Sequence, residues 1–304
     1  MSEEQTLSRV GMLGLGHMGY PMAEHLLASH LVSTVNITGR SREKLEELEN
    51  AGAVWCETPR DIAFNSDILI SVLPDLPQLE AQLEGANGIL AGIRHPIVLL
   101  ICSTSSPRGV RDLSEKLTRT THGKINIIDA PLSGGTDGAK DGTLSIMMGG
   151  DRALYDKISP IMEACGTPLY MGDLGAGQVT KACNQMIVAS TITALSEASL
   201  IAERSGIELE QLFKALAGGY AGSRLLEARK QRLIQKDYRV SGAAKFLLKD
   251  LAFAEDESHQ HHVYTPLLKT LHTIFENIVA SEMGEKDMSV VQNWLESKSP
   301  TISK

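Results

Sequence analysis

Short apolar runs rich in β-branched residues alternate with amphipathic segments along the first 170 residues of the chain. The apolar runs are residues 10–13, 34–38, 68–73, 97–101 and 125–129. The segments with one charged face are residues 42–50, 59–65 and 110–117. Strands that alternate with helices are typical of a doubly wound parallel sheet, so we predict an α/β fold. Residues 145–148 and 168–171 are further candidate strands, whose order the pattern leaves open.

The pattern changes after a cluster of glycines at residues 172–177. Residues 178–205 are apolar on nearly every helical face, and helical patterns without strands continue to residue 296. We therefore predict an α/β domain at residues 8–173 and an all-helical domain at 174–299. A helix that is apolar all round is a buried one, and this one is expected to pass between domains or subunits. That expectation favours a homodimer or homotetramer.

A glycine-rich turn lies between the first predicted strand and a helix that begins near Pro21. It reads Gly14, Leu15, Gly16, His17, Met18 and Gly19. In a βαβ unit the first glycine permits the tight turn, the second lets backbone N–H groups approach a pyrophosphate, and the third brings the helix close to the sheet. The context therefore predicts a Rossmann-type domain that binds a dinucleotide.

The end of the second strand indicates which dinucleotide is bound. An NAD site usually has an Asp or Glu there for the ribose 2′-hydroxyl, whereas this chain has Arg40, Ser41 and Arg42. Two guanidinium groups and a hydroxyl favour a 2′-phosphate, so NADP is the predicted cofactor. In the alternative, Arg40 and Arg42 pair with Glu43 or Glu46 at the surface, and NAD remains usable.

Composition limits the kinds of partner that the protein is expected to bind. The 304 residues carry a formal net charge of −8, and the pI is about 5.6, which argues against nucleic acid and anionic membrane as partners. No run approaches 18 uninterrupted apolar residues, and residues 1–8 do not resemble a targeting signal. The four cysteines are widely spaced, which favours reduced thiols and a cytoplasmic protein. Three histidines at positions 259, 261 and 262 have no companion ligands nearby, so no metal site is expected.

Three further segments follow the glycine-rich turn in a distinctive order. They are residues 129–135 (Asp-Ala-Pro-Leu-Ser-Gly-Gly), residues 142–150 (Gly-Thr-Leu at the start, Met-Gly-Gly at the end) and residues 175–185 (Gly-Ala-Gly-Gln-Val-Thr-Lys-Ala-Cys-Asn-Gln). Together they resemble the β-hydroxyacid dehydrogenase family over nearly the whole chain. The Asn-Gln pair and residues 217–223 are most similar to the tartronate semialdehyde reductase branch.

The resemblance implies roles for particular residues. Lys181 matches the family's catalytic acid/base, and Asn184 and Gln185 lie one turn further on, where they can orient the lysine or the substrate. Leu73, Pro74 and Thr104 match positions that line the cofactor, although Ile101 stands where the family has an aspartate. Lys249 matches a lysine near the nicotinamide; the alternative is a surface ion pair with Asp250.

The residues themselves support reduction of a carbonyl group. The hydroxyl of Ser133 and the backbone N–H groups of Gly134 and Gly135 would form a small nest suited to a substrate carboxylate. When a hydride reaches the carbonyl carbon, the oxygen needs a proton, and a lysine with its ordinary pKa of about 10.4 carries one at neutral pH.

The sequence therefore predicts an NADP-preferring oxidoreductase. It would interconvert a small carboxylate-bearing aldehyde or keto acid and its hydroxy acid, with substrates of the tartronate semialdehyde, glyoxylate or succinic semialdehyde type. Imine reductases share the fold but generally lack the lysine. A non-catalytic dinucleotide-binding scaffold is the other alternative.

Overall fold

The computed structural model describes residues 8–300; the first seven residues, which carry most of the segment tested for a targeting signal, lie outside that range. The strands are β1 (Ser8–Leu13), β2 (Val32–Thr38), β3 (Val54–Trp55), β4 (Ile68–Ser71), β5 (Ile97–Ile101), β6 (Ile125–Asp129), β7 (Leu132–Ser133), β8 (Leu144–Gly149) and β9 (Gly166–Gly172).

The α-helices that accompany the strands are α1 (Gly19–Leu27), α2 (Glu46–Asn50), α3 (Pro59–Phe64), α4 (Leu76–Glu80), α5 (Ile89–Gly92), α6 (Pro107–Thr121), α7 (Gly135–Lys140) and α8 (Arg152–Met162). The later helices are α9 (Ala176–Arg204), α10 (Leu209–Ala217), α11 (Arg224–Gln235), α12 (Ala244–Gln260), α13 (Pro266–Ala280) and α14 (Val291–Lys298). Short 3-10 helices occupy Glu43–Leu45 and Met288–Val290.

Within residues 8–300, nine strands form one sheet in the order β3-β2-β1-β4-β5-β6-β8-β7, with β9 paired to β8. Strands β1 to β6 are parallel, which confirms the predicted doubly wound sheet. At the edge that the sequence pattern left open, β8 runs antiparallel to β6 and β7. The two-residue strands β3 and β7 were not predicted, since they are too short to show an alternating pattern.

Alternate residues of the central strands face two separate cores. In β5, Val98 and Leu100 pack in the cluster that contains Met22 of α1, whereas Leu99 and Ile101 pack in the cluster that contains Val110 of α6. Every residue of β5 is buried. Helices therefore cover both faces of the sheet, as parallel sheets require.

Side-chain caps fix the starts of several helices around the sheet. The side chains of Thr58, Asp75, Ser106 and Asp151 each accept a hydrogen bond from the backbone N–H three residues further on. Helices α3, α4 and α6 also have a proline in the first turn, where its missing N–H costs nothing. These local signals determine where the chain leaves each loop above the sheet.

The chain divides into two compact units, one up to Lys181 and one from Ala182. The division falls inside α9, a little later than the predicted boundary at residues 173 and 174. The second unit is helical, as predicted, and buries its own apolar core, which includes Phe213, Leu251 and Phe275.

Part of α9 is exposed in the single chain, and the expected contact with another subunit stays a prediction. Ala189, Ile192 and Leu195 pack in the core of the second unit, but Ile187 and Ile201 are 60% and 68% exposed. By length and composition alone, α9 could cross a membrane, and 44% of its apolar window is buried inside the protein. The core positions of α9 are those of a helix packed in a folded domain. The exposed positions form a separate apolar stripe.

Candidate active site

The three glycines of the turn between β1 and α1 meet different surroundings. Gly14 has a φ of +89°, and a Cβ there would lie 2.6 Å from the carbonyl carbon of Val72. A Cβ at Gly19 would collide with the carbonyl oxygen of Gly14. A Cβ at Gly16 would meet no atom within 4 Å. The packing of the chain therefore requires the outer two glycines, whereas Gly16 borders open space.

That space is a cavity of about 630 Å³ at the carboxyl ends of β1, β2 and β4. It brings together seven of the predicted cofactor residues, namely Gly14, Leu15, Gly16, Arg40, Ser41, Leu73 and Pro74. Because β1 and β4 are neighbours in the sheet while β2 lies on the other side of β1, the cavity opens where the strand order reverses. Dinucleotides bind at this position in doubly wound sheets.

The residues around the cavity fit a dinucleotide. Helix α1 begins at Gly19, beside the turn, so the positive end of its dipole lies at the position where an anion would bind. The bare backbone at Gly16 leaves room for a pyrophosphate to approach, and Arg40 and Ser41 lie at the end of β2, where an adenosine ribose is expected.

The placement of Arg42 differs from the prediction. Its guanidinium donates to Glu49 through Nη2 at 2.7 Å and lies 5.5 Å from the ring centroid of Trp55. This ion pair holds the pKa of Glu49 below its ordinary value. Arg42 is not among the residues that line the cavity. The alternative reading foresaw a surface ion pair, but the acceptor is Glu49 rather than Glu43 or Glu46.

The structure adds two charged residues to the cavity that the sequence reasoning missed. Lys44 lines it from the 3-10 helix at Glu43–Leu45, four residues after Arg40. Glu57 also lines it, and its Oε1 accepts a hydrogen bond of 2.8 Å from Trp55 Nε1. The available signal for Lys44 was its spacing, because a cation four residues after Arg40 lies about one helical turn beyond it. Glu57 follows β3, which the pattern did not reveal.

The remaining predicted cofactor residues of the first unit lie outside the cavity lining. His17 is exposed at the turn, and Met18 packs partly against the core beneath α1. Gly19 acts through its close approach to Gly14. Thr104 is partly buried in the loop after β5, between Ser103 and Ser105.

Ser133, Gly134 and Gly135 form an open turn between β7 and α7. Gly134 and Gly135 have φ angles of +133° and +65°, which favour glycine, and both are exposed. A Cβ at Gly135 would meet no atom within 4 Å. The backbone of the predicted carboxylate nest is therefore accessible.

Lys181 lies in the second turn of α9, and the residue is only 8% exposed. An ammonium group is costly to bury unless polar groups or charges compensate it. Three residues earlier, Gln178 is fully buried and bonded to the loop after β5.

The predicted polar residues of the second unit form a connected group. Asn184 Nδ2 donates to Gln185 Oε1 at 3.0 Å, and Gln185 Nε2 donates to Asp250 Oδ2 at 2.7 Å. Lys249 Nζ lies 3.5 Å from the other oxygen of Asp250, whose side chain is 5% exposed. The carboxylate that pairs with Lys249, that of Asp250, is thus buried, whereas the alternative was an ion pair at the surface. The same carboxylate also binds the side chain of Gln185.

Within residues 8–300, no group of three or more His, Cys, Asp and Glu side chains is arranged to hold a metal ion. The four cysteines are free; Cys56, Cys102 and Cys165 are buried and Cys183 is exposed. Burial raises the pKa of the Cys165 thiol to about 12.

The sheet order, the glycine-rich turn and the cavity above the strand ends define the class of protein as a Rossmann-type dinucleotide-binding protein. Residues 9–183 match the family described as the NAD binding domain of 6-phosphogluconate dehydrogenase. Residues 175–295 match the NAD-binding family of NADP-dependent 3-hydroxyisobutyrate dehydrogenase.

Individual proteins agree with these matches. The chain is 34% identical to 2-hydroxy-3-oxopropionate reductase of Escherichia coli, over 95% of this chain and 97% of that protein. It is 30% identical to the NAD-dependent L-serine dehydrogenase of Pseudomonas aeruginosa, over 94% and 97% of the two chains. The crystal structure of 3-hydroxyisobutyrate dehydrogenase from Salmonella typhimurium superposes with a TM-score of 0.84 at 25% identity, covering 94% of this chain and 99% of that one.

The chain therefore belongs to the β-hydroxyacid dehydrogenase family and is an NAD(P)-dependent oxidoreductase that acts on CH–OH groups. These relatives favour the dehydrogenase over the imine reductase and scaffold alternatives.

Proposed function

We propose that this chain is an NADP-preferring reductase of a small aldehyde or keto acid that bears a carboxylate, of the tartronate semialdehyde, glyoxylate or succinic semialdehyde type. The observation that carries the proposal is the buried Lys181 on a helix turn bonded to the Rossmann unit. The relative named 2-hydroxy-3-oxopropionate reductase supports this substrate class.

In the proposed mechanism, the reduced nicotinamide supplies the hydride. Lys181 donates the proton that the carbonyl oxygen acquires, and in the reverse direction it removes that proton from the hydroxyl. Ser133 and the N–H groups of Gly134 and Gly135 bind the substrate carboxylate. Gln185 accepts from Asn184 through its oxygen and donates to Asp250 through its nitrogen, whereas Asn184 is bonded through its nitrogen, so Asn184 is the member of the pair that we assign to the substrate.

The NADP preference rests on Arg40, Ser41 and Lys44, which place two cations and a hydroxyl in the cavity at the end of β2. Glu57 is the residue there that favours NAD, because a carboxylate accepts a hydrogen bond from a ribose hydroxyl and repels a phosphate. Trp55 Nε1 already donates a hydrogen bond to Glu57, which occupies part of the carboxylate's accepting capacity. We therefore expect the charges of Arg40 and Lys44 to outweigh that of Glu57 in the choice of cofactor.

A homo-oligomer is part of the same proposal. Ile187, Ala194 and Ile201 are exposed and recur every seven residues along α9, so they lie on one face of the helix. Burying this stripe against a second copy of the chain would remove apolar surface from water. A homodimer or homotetramer provides that contact.

The activity is tested with a panel of semialdehydes and 2-oxo acids, followed by loss of NADPH absorbance. Lys181→Ala should lower kcat at least roughly 100-fold, because general acid catalysis contributes about 10²–10⁴-fold. NADPH affinity, measured by fluorescence titration, should change little.

The matched control is Lys214→Ala, which removes an exposed lysine from α10 and should leave turnover unchanged. Equal turnover in the wild type and in Lys181→Ala would refute the assigned proton donor. Turnover of no carboxylate-bearing carbonyl in the panel would refute the substrate class.

A further inference from the structure

A buried carboxylate outside the predicted site holds the start of α9. Asp129, at the end of β6, is completely buried. Its Oδ1 accepts a hydrogen bond from the N–H of Gly175, and its Oδ2 accepts one from the N–H of Gln178, both at 2.7 Å. The first N–H groups of a helix have no partner within the helix, so Asp129 caps α9 from a distant strand.

The surrounding chain is built around this carboxylate. A Cβ at Gly149, on the neighbouring strand β8, would lie 2.5 Å from Asp129 Oδ1. A Cβ at Gly177 would lie 2.8 Å from Oδ2. The two glycines therefore leave the slot that the carboxylate fills. The positive end of α9 and the guanidinium of Arg111, on α6, favour its charged form.

Gln178 makes the second connection. Its Oε1 accepts from the N–H of Ser105 at 2.9 Å, and its Nε2 donates to the carbonyl oxygen of Ser103 at 2.8 Å. A glutamine supplies both a donor and an acceptor, which a glutamate or a methionine does not. The side chain thus joins the first turn of α9 to the loop after β5 that contains Thr104.

Lys181 follows Gln178 by three residues, which is about one helical turn, so it lies close to the same helix face. Displacement of a catalytic group by about 1 Å costs on the order of 100-fold in rate. We propose that Asp129 and Gln178 are positioning residues, which fix the turn of α9 that carries Lys181 against the loop after β5. This inference rests on the proposed role of Lys181.

Two isosteric substitutions test the inference in the full chain. Asp129→Asn keeps the shape but turns one acceptor into a donor, which then faces a backbone N–H. Gln178→Glu keeps the acceptor for Ser105 but places an oxygen against the carbonyl oxygen of Ser103. Asp112→Asn and Gln211→Glu make the same chemical changes at exposed positions of α6 and α10 and serve as controls.

We expect both test variants to lower kcat by roughly 10- to 100-fold. The KM for the carbonyl substrate and the Kd for NADPH should change less than roughly threefold, because neither residue lines the cofactor cavity. Hydrogen–deuterium exchange of residues 175–181 should become faster, whereas the controls should match the wild type. This exchange is measured without substrate, so it reports helix anchoring even if Lys181 has another role.

The pH profile supplies a readout that a merely structural residue would not change. Burial raises the pKa of Asp129 to about 6, against the lowering effect of its two N–H donors and of Arg111. Below that pH the carboxyl group gains a proton and loses part of its accepting capacity. The kcat of the wild type should therefore fall on the acid side with an apparent pKa near 6, and Asp129→Asn should lack this limb.

Faster exchange with unchanged kcat in both variants would overturn the positioning role. Unchanged exchange would overturn the anchoring itself. If Asp129→Asn fails to fold, Gln178→Glu decides the question alone. If Lys181→Ala is fully active, the proposed function fails instead, and exchange still shows whether α9 is anchored.

Discussion

Arg40 and Arg42 lie two positions apart and carry the same charge, yet their surroundings give them different roles. Arg42 is bonded to Glu49 and lies over Trp55, whereas Arg40 lines the cavity. The composition of the segment shows two available guanidinium groups. Which of them is free to meet a phosphate depends on a glutamate that the fold brings to Arg42.

This difference predicts an asymmetric effect on cofactor choice. Arg40→Asp should lower the ratio of kcat/KM for NADPH to that for NADH by roughly 10-fold or more, since a hydrogen bond to a charged group contributes about 1.5–3 kcal/mol. Arg42→Asp makes the same charge change outside the cavity and should alter the ratio little. Steady-state kinetics with both cofactors measures the effect. Equal losses in the two variants would contradict a specific 2′-phosphate contact at Arg40.

In the unit of β1, the glycine-rich turn and α1, adding a methyl group to Gly16 or to Gly19 should have different effects on stability. Gly16→Ala meets no protein atom, so the free energy of unfolding without cofactor should stay within about 1 kcal/mol of the wild type. Gly19→Ala forces Gly14 and α1 apart and should cost about 1–3 kcal/mol.

Urea unfolding measures the stabilities of these two variants, and fluorescence titration measures NADPH binding. Gly16→Ala should weaken NADPH binding at least roughly 10-fold, because the methyl group fills the path of the pyrophosphate. A Gly16→Ala protein that is both stable and binds NADPH like the wild type would show that the cofactor does not pass over this residue.

For the whole molecule, the exposed stripe on α9 predicts self-association. Wild-type protein should have twice or four times the monomer mass of 32.9 kDa in light scattering coupled to gel filtration. Ile201→Asp puts a charge on the stripe and should shift the mass toward that of the monomer.

Val240→Asp serves as the control for this experiment. Val240 is 65% exposed, similar to Ile201, but lies in the loop between α11 and α12, so the mass should not change. A wild-type protein that stays monomeric at micromolar concentration would contradict the oligomer proposal.

The sequence predicted much of the fold because its signals are local. Alternating and apolar runs located seven of the nine strands found in residues 8–300, and the helical second half followed from periodicity alone. The strand at β8 was located, but its antiparallel direction was left open, because strand direction at the edge of a sheet depends on neighbours rather than on the strand's own pattern. The apolar stripe of α9 was expected to be buried, because composition does not distinguish a core face from an interface.

The sequence by itself determined the class of fold, the glycine-rich turn and the position of Lys181, because spacing along the chain encodes strand, turn and helix. Only the tertiary structure decided that Arg42 pairs with Glu49, that Lys44 and Glu57 line the cavity, and that Asp129 caps α9. Asp129 and the N–H groups it accepts from are 46 and 49 positions apart. Contacts over such separations depend on which strands become neighbours, and that choice is made by packing the whole sheet rather than by any local segment.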